Sequence, residues 1–159
     1  MHLRSIISTL SACLIVLGGL TAPHGAVNAA GSLSQGALRA EIRAFIDDAN
    51  ACTPHSACAA LAAMYAPAPT LRASFHTGTT KVYHGVAQIV AFYKGDSVPG
   101  KGFALDSLTF LSPTIVYSYE HWGSPGETSP SSCTHVYVLN NQGKITREEF
   151  VEYYPGKGM

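Results

Sequence analysis

The stretch Ser112–Asn140, SPTIVYSYEHWGSPGETSPSSCTHVYVLN, decides the fold. It holds two alternating segments, Pro113–Trp122 and Cys133–Asn140, joined by a loop of Gly, Pro and Ser. Side chains on a strand alternate with period 2, so each segment presents two distinct faces. Pairing the segments as a hairpin with Trp122 opposite Ser132 puts Ile115, Tyr117, Tyr119 and His121 on one face with Cys133, His135, Tyr137 and Leu139. Val116, Ser118, Val136 and Val138 then share the other face, and Glu120 points outward. On this reading the first face is the wall of a lined pocket and the second a packing surface.

Working outward, everything from Phe103 onward reads as β: Phe103–Leu111, the two segments above, and Lys144 to about Tyr154. Asn140-Asn141-Gln142-Gly143 is a hairpin turn signal. Ile145 and Phe150 have opposite parity, which predicts a bulge or a change of face in the last strand. Before the β region come three helices. Ser34 caps the first, on Leu38, Ile42, Phe45, Ile46 and Ala49 at helical spacing. Thr53-Pro54 opens a second, running through Leu61, Met64 and Tyr65 to Pro67. Gly85 opens a third on Val86, Ile89, Val90 and Tyr93, closed by Gly95. Between the second and third, Thr70–Phe75 and Lys81–His84 form a short strand pair around His76-Thr77-Gly78. Helices gathered on one face of a mostly antiparallel sheet make an α+β layer arrangement.

Met1 to Ala29 reads as a secretory signal: His2 and Arg4 precede an apolar run, and Val27-Asn28-Ala29 offers the small residues of a cleavage site. Residues 30–37 are a loose lead, 38–155 one domain and 156–159 a tail. After cleavage roughly 130 residues remain, enough for one core. Lys and Arg number 10 and Asp and Glu number 10, without a basic run or acidic tail, so nucleic acid and anionic membranes are poor partners. The chain is expected outside the cell. There, Cys52 and Cys58 are placed to close a small loop and leave Cys133 unpaired, the alternative being three separate small hydrophobes.

Three runs carry a resemblance: Leu61-Ala62-Ala63-Met64-Tyr65-Ala66-Pro67, Tyr83-His84-Gly85-Val86-Ala87-Gln88-Ile89-Val90-Ala91-Phe92-Tyr93, and Val136-Tyr137-Val138-Leu139-Asn140-Asn141-Gln142-Gly143-Lys144-Ile145. In order and spacing the chain resembles the SnoaL-like branch of the nuclear transport factor 2-like superfamily. The resemblance implies a cone-shaped curved antiparallel sheet with three helices and, as often in that family, pairing of two copies through the sheet. The fold hosts enzymes and non-enzymes alike, so it names no activity. Ketosteroid isomerases of the same fold use a carboxylate base, with a Tyr and a protonated Asp as the oxyanion hole. Carried onto this chain, the base position falls near Ala73 and Ser74, the aspartate on His135 and the tyrosine around Phe45. The isomerase groups are therefore absent, residue by residue.

Of the groups that bear chemistry, His135 stands out, mid-strand with Tyr119 opposite and Tyr137 two residues on. An imidazole exchanges protons near neutral pH, and a Tyr hydroxyl can orient it; a core histidine bonded to a tyrosine fits the same residues. A ligand in the pocket meets Tyr117, His121 and Tyr137 from the sheet, and Phe45 and Tyr65 from the helices. No His-x-His or His-x-x-x-His spacing occurs, so no metal is expected. No nucleotide-binding or nucleophile-elbow motif calls for a cofactor either. Three readings follow. The chain binds a small, largely apolar molecule; or it is a cofactor-free lyase or isomerase acting through His135 and Tyr119; or the face of Val116, Val136 and Val138 makes a homodimer, which is compatible with either.

Overall fold

The computed structural model describes residues 33–128 and 131–153; the signal-peptide segment and the tail lie outside them. Helix α1 spans Gln35–Ala51, and the Ser34 hydroxyl accepts a hydrogen bond from the Ala37 N–H, as its capping role requires. Its buried stripe is the expected one: Leu38, Ile42, Phe45, Ile46 and Ala49. Cys52 ends the helix and is disulfide-bonded to Cys58, with the Cα atoms 4.9 Å apart. The second helix is shorter than Thr53-Pro54 suggests. Ser56 bonds the Thr53 backbone in a turn, Cys58 takes a left-handed conformation (φ 53°), and α2 covers only Ala59–Ala63. A ring closed across seven residues leaves no room for a helix inside it.

Tyr65 is not helical either: it starts β1 (Tyr65–Ser74), followed by β2 (Thr80–His84), α3 (Gly85–Asp96), β3 (Gly102–Ser112), β4 (Ile115–Gly123), β5 (Ser131–Leu139) and β6 (Ile145–Tyr153). Pro67 and Pro69 are accommodated because the β1–β6 ladder is interrupted between Tyr65 and Thr70, where no backbone donor is required. The strands form one curved, unclosed six-stranded sheet in the order β2-β1-β6-β5-β4-β3. All neighbours run antiparallel except β1 and β6, which are parallel. The expected separate strand pair is thus joined to the meander through β6. The expected bulge is present: Val138 pairs with Arg147 and Leu139 with Ile145, which passes over Thr146 and puts Ile145, Glu148 and Phe150 on the inner side. Helix α1 packs on β3 and α3 on β1 and β2, so the helices cover one face. No helix among the described residues is long and apolar enough to cross a membrane.

The β4–β5 register differs by one residue from the expected pairing. Trp122 lies opposite Ser131, His121 opposite Ser132, Glu120 opposite Cys133, Ser118 opposite His135 and Val116 opposite Tyr137. A slip of one residue exchanges the faces of a whole strand. Val116, Ser118 and Glu120 therefore join Cys133, His135 and Tyr137 inside, and all six are buried. Tyr117 and Tyr119 turn to the outer face, where Tyr119 is 38% exposed. Val116 is accordingly not on one face with Val136 and Val138, the grouping expected to pair two copies.

Candidate functional site

The inner face of the sheet brings two carboxyl groups to one imidazole. His135 Nδ1 is 2.8 Å from Glu148 Oε1, and His135 Nε2 is 3.8 Å from Glu120 Oε2. His135, Glu120 and Glu148 are each no more than 1% exposed. Buried charge is costly unless it is paired and hydrogen-bonded, and the surroundings provide donors. Tyr93 donates to Glu148 Oε1 and Tyr65 to Glu148 Oε2, both at 2.5 Å. Ser118 donates to Glu120 Oε1 at 2.5 Å and Tyr137 to the same oxygen at 3.2 Å. Nε2 of His135 has no hydrogen-bond partner.

Each donor is placed by its element. Tyr65 opens β1 and Tyr93 sits near the end of α3, so both ends of the α2–α3 segment are tied to Glu148 on β6. Phe45 of α1 packs edge-on against Tyr65, Tyr93 and Tyr137, with ring centroids 5.9, 5.8 and 5.2 Å away. Burial by itself pulls the imidazole of His135 down, but Glu120, then the Cys133 and Glu148 contacts, outweigh it and hold the group well above its ordinary value. Burial and then Glu148 push Tyr65 and Tyr93 well up, and burial and then Glu120 do the same for Tyr137, so these hydroxyls stay protonated donors. Burial also raises the Cys133 thiol, against the opposing pull of His135.

Beside this cluster lies a cleft of about 240 Å³, between the end of α3 and the sheet. Phe75, Val98, Phe103, Trp122 and Phe150 supply its apolar walls, and Ser131, Cys133 and Glu152 its polar points. Phe103 is held there by α1: its N–H donates to Asn50 Oδ1 at 2.7 Å and its carbonyl accepts from Asn50 Nδ2 at 2.8 Å. A Cβ at Gly102 would stand 2.9 Å from Asn50 Oδ1, so a side chain there would push the amide off its bonds to Phe103. Phe103 and Phe150 also pack edge-on against the His135 ring, centroids 5.9 and 4.9 Å away. They form an aromatic layer between cleft and cluster, and Cys133 reaches both.

Of the residues singled out in the sequence, His135, Tyr137, Tyr65 and Phe45 come together in this interior; none of the four lines the cleft, and Phe45 is core. Tyr119 does not join them: it lies opposite Thr134 and donates outward to Ser132 Oγ at 2.9 Å. Tyr117 is on the same outer face. His121 pairs with Asp106 at 3.0 Å, both side chains are 40% exposed, and His121 lines a separate hollow with Gly102, Ala104 and Gly123 rather than this cleft. Sequence reading missed Glu120 and Glu148. Glu148 was within reach, since it shares the parity of Phe150 beyond the bulge. Glu120 was hidden by the register, because Tyr117, Tyr119 and His121 look more like an interior set than Val116, Ser118 and Glu120.

No family model and no curated protein matches the chain. Solved structures do. A protein of unknown function with a cystatin-like fold from Methylobium petroleophilum PM1 superposes with a TM-score of 0.60 at 18% identity, covering 80% of this chain and 82% of that one. A SnoaL-like protein of unknown function from Burkholderia thailandensis gives 0.56 at 15% identity, covering 78% and 99%. A steroid delta-isomerase from Pseudomonas aeruginosa gives 0.54 at 13% identity, covering 82% and 85%. The chain has the SnoaL-like, nuclear transport factor 2-like fold.

Proposed function

We propose that this protein binds a compact, largely apolar molecule carrying a carbonyl or hydroxyl group. The observation that carries the reading is the cleft itself: five apolar walls around three polar points, Ser131, Cys133 and Glu152. Sites for small molecules have this composition, with few polar groups to fix orientation. At about 240 Å³ the cleft is smaller than the roughly 300–1,000 Å³ common for drug-sized ligands, which favours a monocyclic or bicyclic molecule. The Cys52–Cys58 disulfide supports an oxidising compartment, and with it export of the chain. A second copy would pair through the outer sheet face, where Val136 and Val138 stand beside Tyr117 and Ile115.

Isomerase or lyase chemistry is the second reading, supported by the fold's steroid isomerase neighbour and by the Glu120–His135–Glu148 cluster. Its acid–base pair is not the one expected from the sequence, because Tyr119 lies on the far side of the sheet. One experiment separates the readings. Trp122 is the sole tryptophan and lines the cleft, so its fluorescence reports occupancy. Titration with monocyclic and bicyclic ketones, followed by mass spectrometry of the mixture, gives a saturable change and unaltered compound if the protein is a binder. Conversion that disappears in His135→Gln while the fluorescence change persists makes it an enzyme. No saturable change with any compound, and no small molecule co-purifying with the protein, defeats the binding proposal.

A further inference from the structure

We propose that Glu120, Cys133 and His135 form a site for a divalent transition-metal ion, with zinc the best match to their chemistry. One donor atom from each lies within 4.8 Å of the others, and all three residues are buried. Tetrahedral zinc bonded at about 2.0–2.3 Å sets its ligand atoms roughly 3.3–3.7 Å apart. The 3.8 Å between His135 Nε2 and Glu120 Oε2 is already close to that spacing.

The independent observation is Nε2 itself: a nitrogen on a side chain 1% exposed, without a hydrogen-bond partner, facing the other two donors. Its counterpart Nδ1 is held by Glu148 at 2.8 Å. Metal-binding histidines are commonly oriented in this way, by an outer carboxylate on the second ring nitrogen. Glu148 is in turn fixed by Tyr65 and Tyr93. Glu120 takes its bonds from Ser118 and Tyr137 on Oε1, and Oε2 is the oxygen toward His135.

Charge points the same way. Among the described residues, His135 is the one basic side chain within 4.0 Å of either carboxylate, so two acids share one imidazole and a cation supplies what they lack. A thiolate, an imidazole and a carboxylate together suit a borderline-soft ion such as zinc. Three protein donors leave a fourth position, and Cys133 is the donor that also lines the cleft. Sequence spacing alone gives no hint of the set, because Glu120 arrives from the neighbouring strand, directly opposite Cys133. The site stands whether or not the cleft takes an organic ligand.

The test is a titration of the chelator-treated, disulfide-intact full chain with Co²⁺, followed by displacement with Zn²⁺. One ion per chain is expected, with intense visible bands of tetrahedral cobalt and a near-ultraviolet thiolate-to-cobalt charge-transfer band. Cys133→Ser removes the charge-transfer band, and His135→Gln abolishes saturable binding. Glu148→Gln keeps the band but weakens affinity by about 10–100-fold, as for an outer-carboxylate change. Cys13→Ser changes nothing. Cobalt that binds without the charge-transfer band, a band that survives Cys133→Ser, or no ion retained at micromolar concentration overturns the proposal. The first readout uses the unaltered chain, so a variant that fails to fold does not shield it.

Discussion

Two tyrosines show how much one residue of register decides. Tyr119 and Tyr137 share one inward face in the sequence reading, but Tyr137 is fully buried and bonded to the buried Glu120 carboxylate, whereas Tyr119 is 38% exposed and bonded to Ser132. A hydrogen bond to a charged buried group contributes about 1.5–3 kcal/mol, so Tyr137→Phe is expected to lose that much stability in urea unfolding. Tyr119→Phe is expected to stay within about 0.5 kcal/mol of the parent. Equal losses at the two positions would put the β4–β5 register in error. His135 was legible as a special residue because an imidazole stands mid-strand between Cys133 and Tyr137. Its partners were not, since the connection from Gly123 to Pro130 is too long to set a register and both parities of β4 carry plausible interior groups. Period-2 alternation identifies two faces without saying which one is inside.

Helices and turns were easier to read than faces, because their signals are local. Ser34 capping α1 and the Asn140–Lys144 turn behave as their residue types dictate: Asn140 Oδ1 accepts from the N–H groups of Gln142 and Lys144, at 2.9 and 3.0 Å. Gly143 completes that turn with φ 76°, and a Cβ there would meet Leu33 Cδ1 at 2.3 Å. Gly143→Ala is therefore expected to cost about 1–2 kcal/mol, chiefly from the left-handed backbone. A thermal melt should show the midpoint lowered by about 3–8 °C. The second helix was misjudged because Thr-Pro is a good helix start only where the chain is free to continue, and the Cys52–Cys58 bond denies that. Closing so short a ring is worth about 2 kcal/mol in the chain-entropy account. Replacing both cysteines by serine is expected to lower unfolding free energy by that amount. A denatured-state thiol assay on a Cys13→Ser chain should count one thiol, from Cys133; three would remove the disulfide from the account.

At the scale of the whole molecule, the join that turns a meander and a strand pair into one sheet is the parallel contact of β1 with β6, between residues far apart in sequence, such as Ala73 and Phe150. No local pattern announces so distant a pairing, and it is this contact that carries Tyr65 to Glu148 and sets the cluster at the centre. The consequence is a graded stability. Strands β5 and β6 are central and lined by buried residues, whereas β2 is an edge strand with most of its residues exposed, and in the segment after α3 Val98, Pro99 and Gly100 are exposed. Amide exchange follows local opening, so β5 and β6 should exchange only through global unfolding, and β2 and residues 97–101 far sooner. A ligand seated between Val98, Phe103 and Trp122 would slow exchange most in residues 95–103, because those amides open only when the cleft empties. An ion on Glu120, Cys133 and His135 would instead add protection to β4 and β5, which hold its donors and are already slow. Exchange measured with ketone alone and with Zn²⁺ alone therefore separates the two occupants, and protection spread evenly over the chain in both cases would leave neither placed where the geometry puts it.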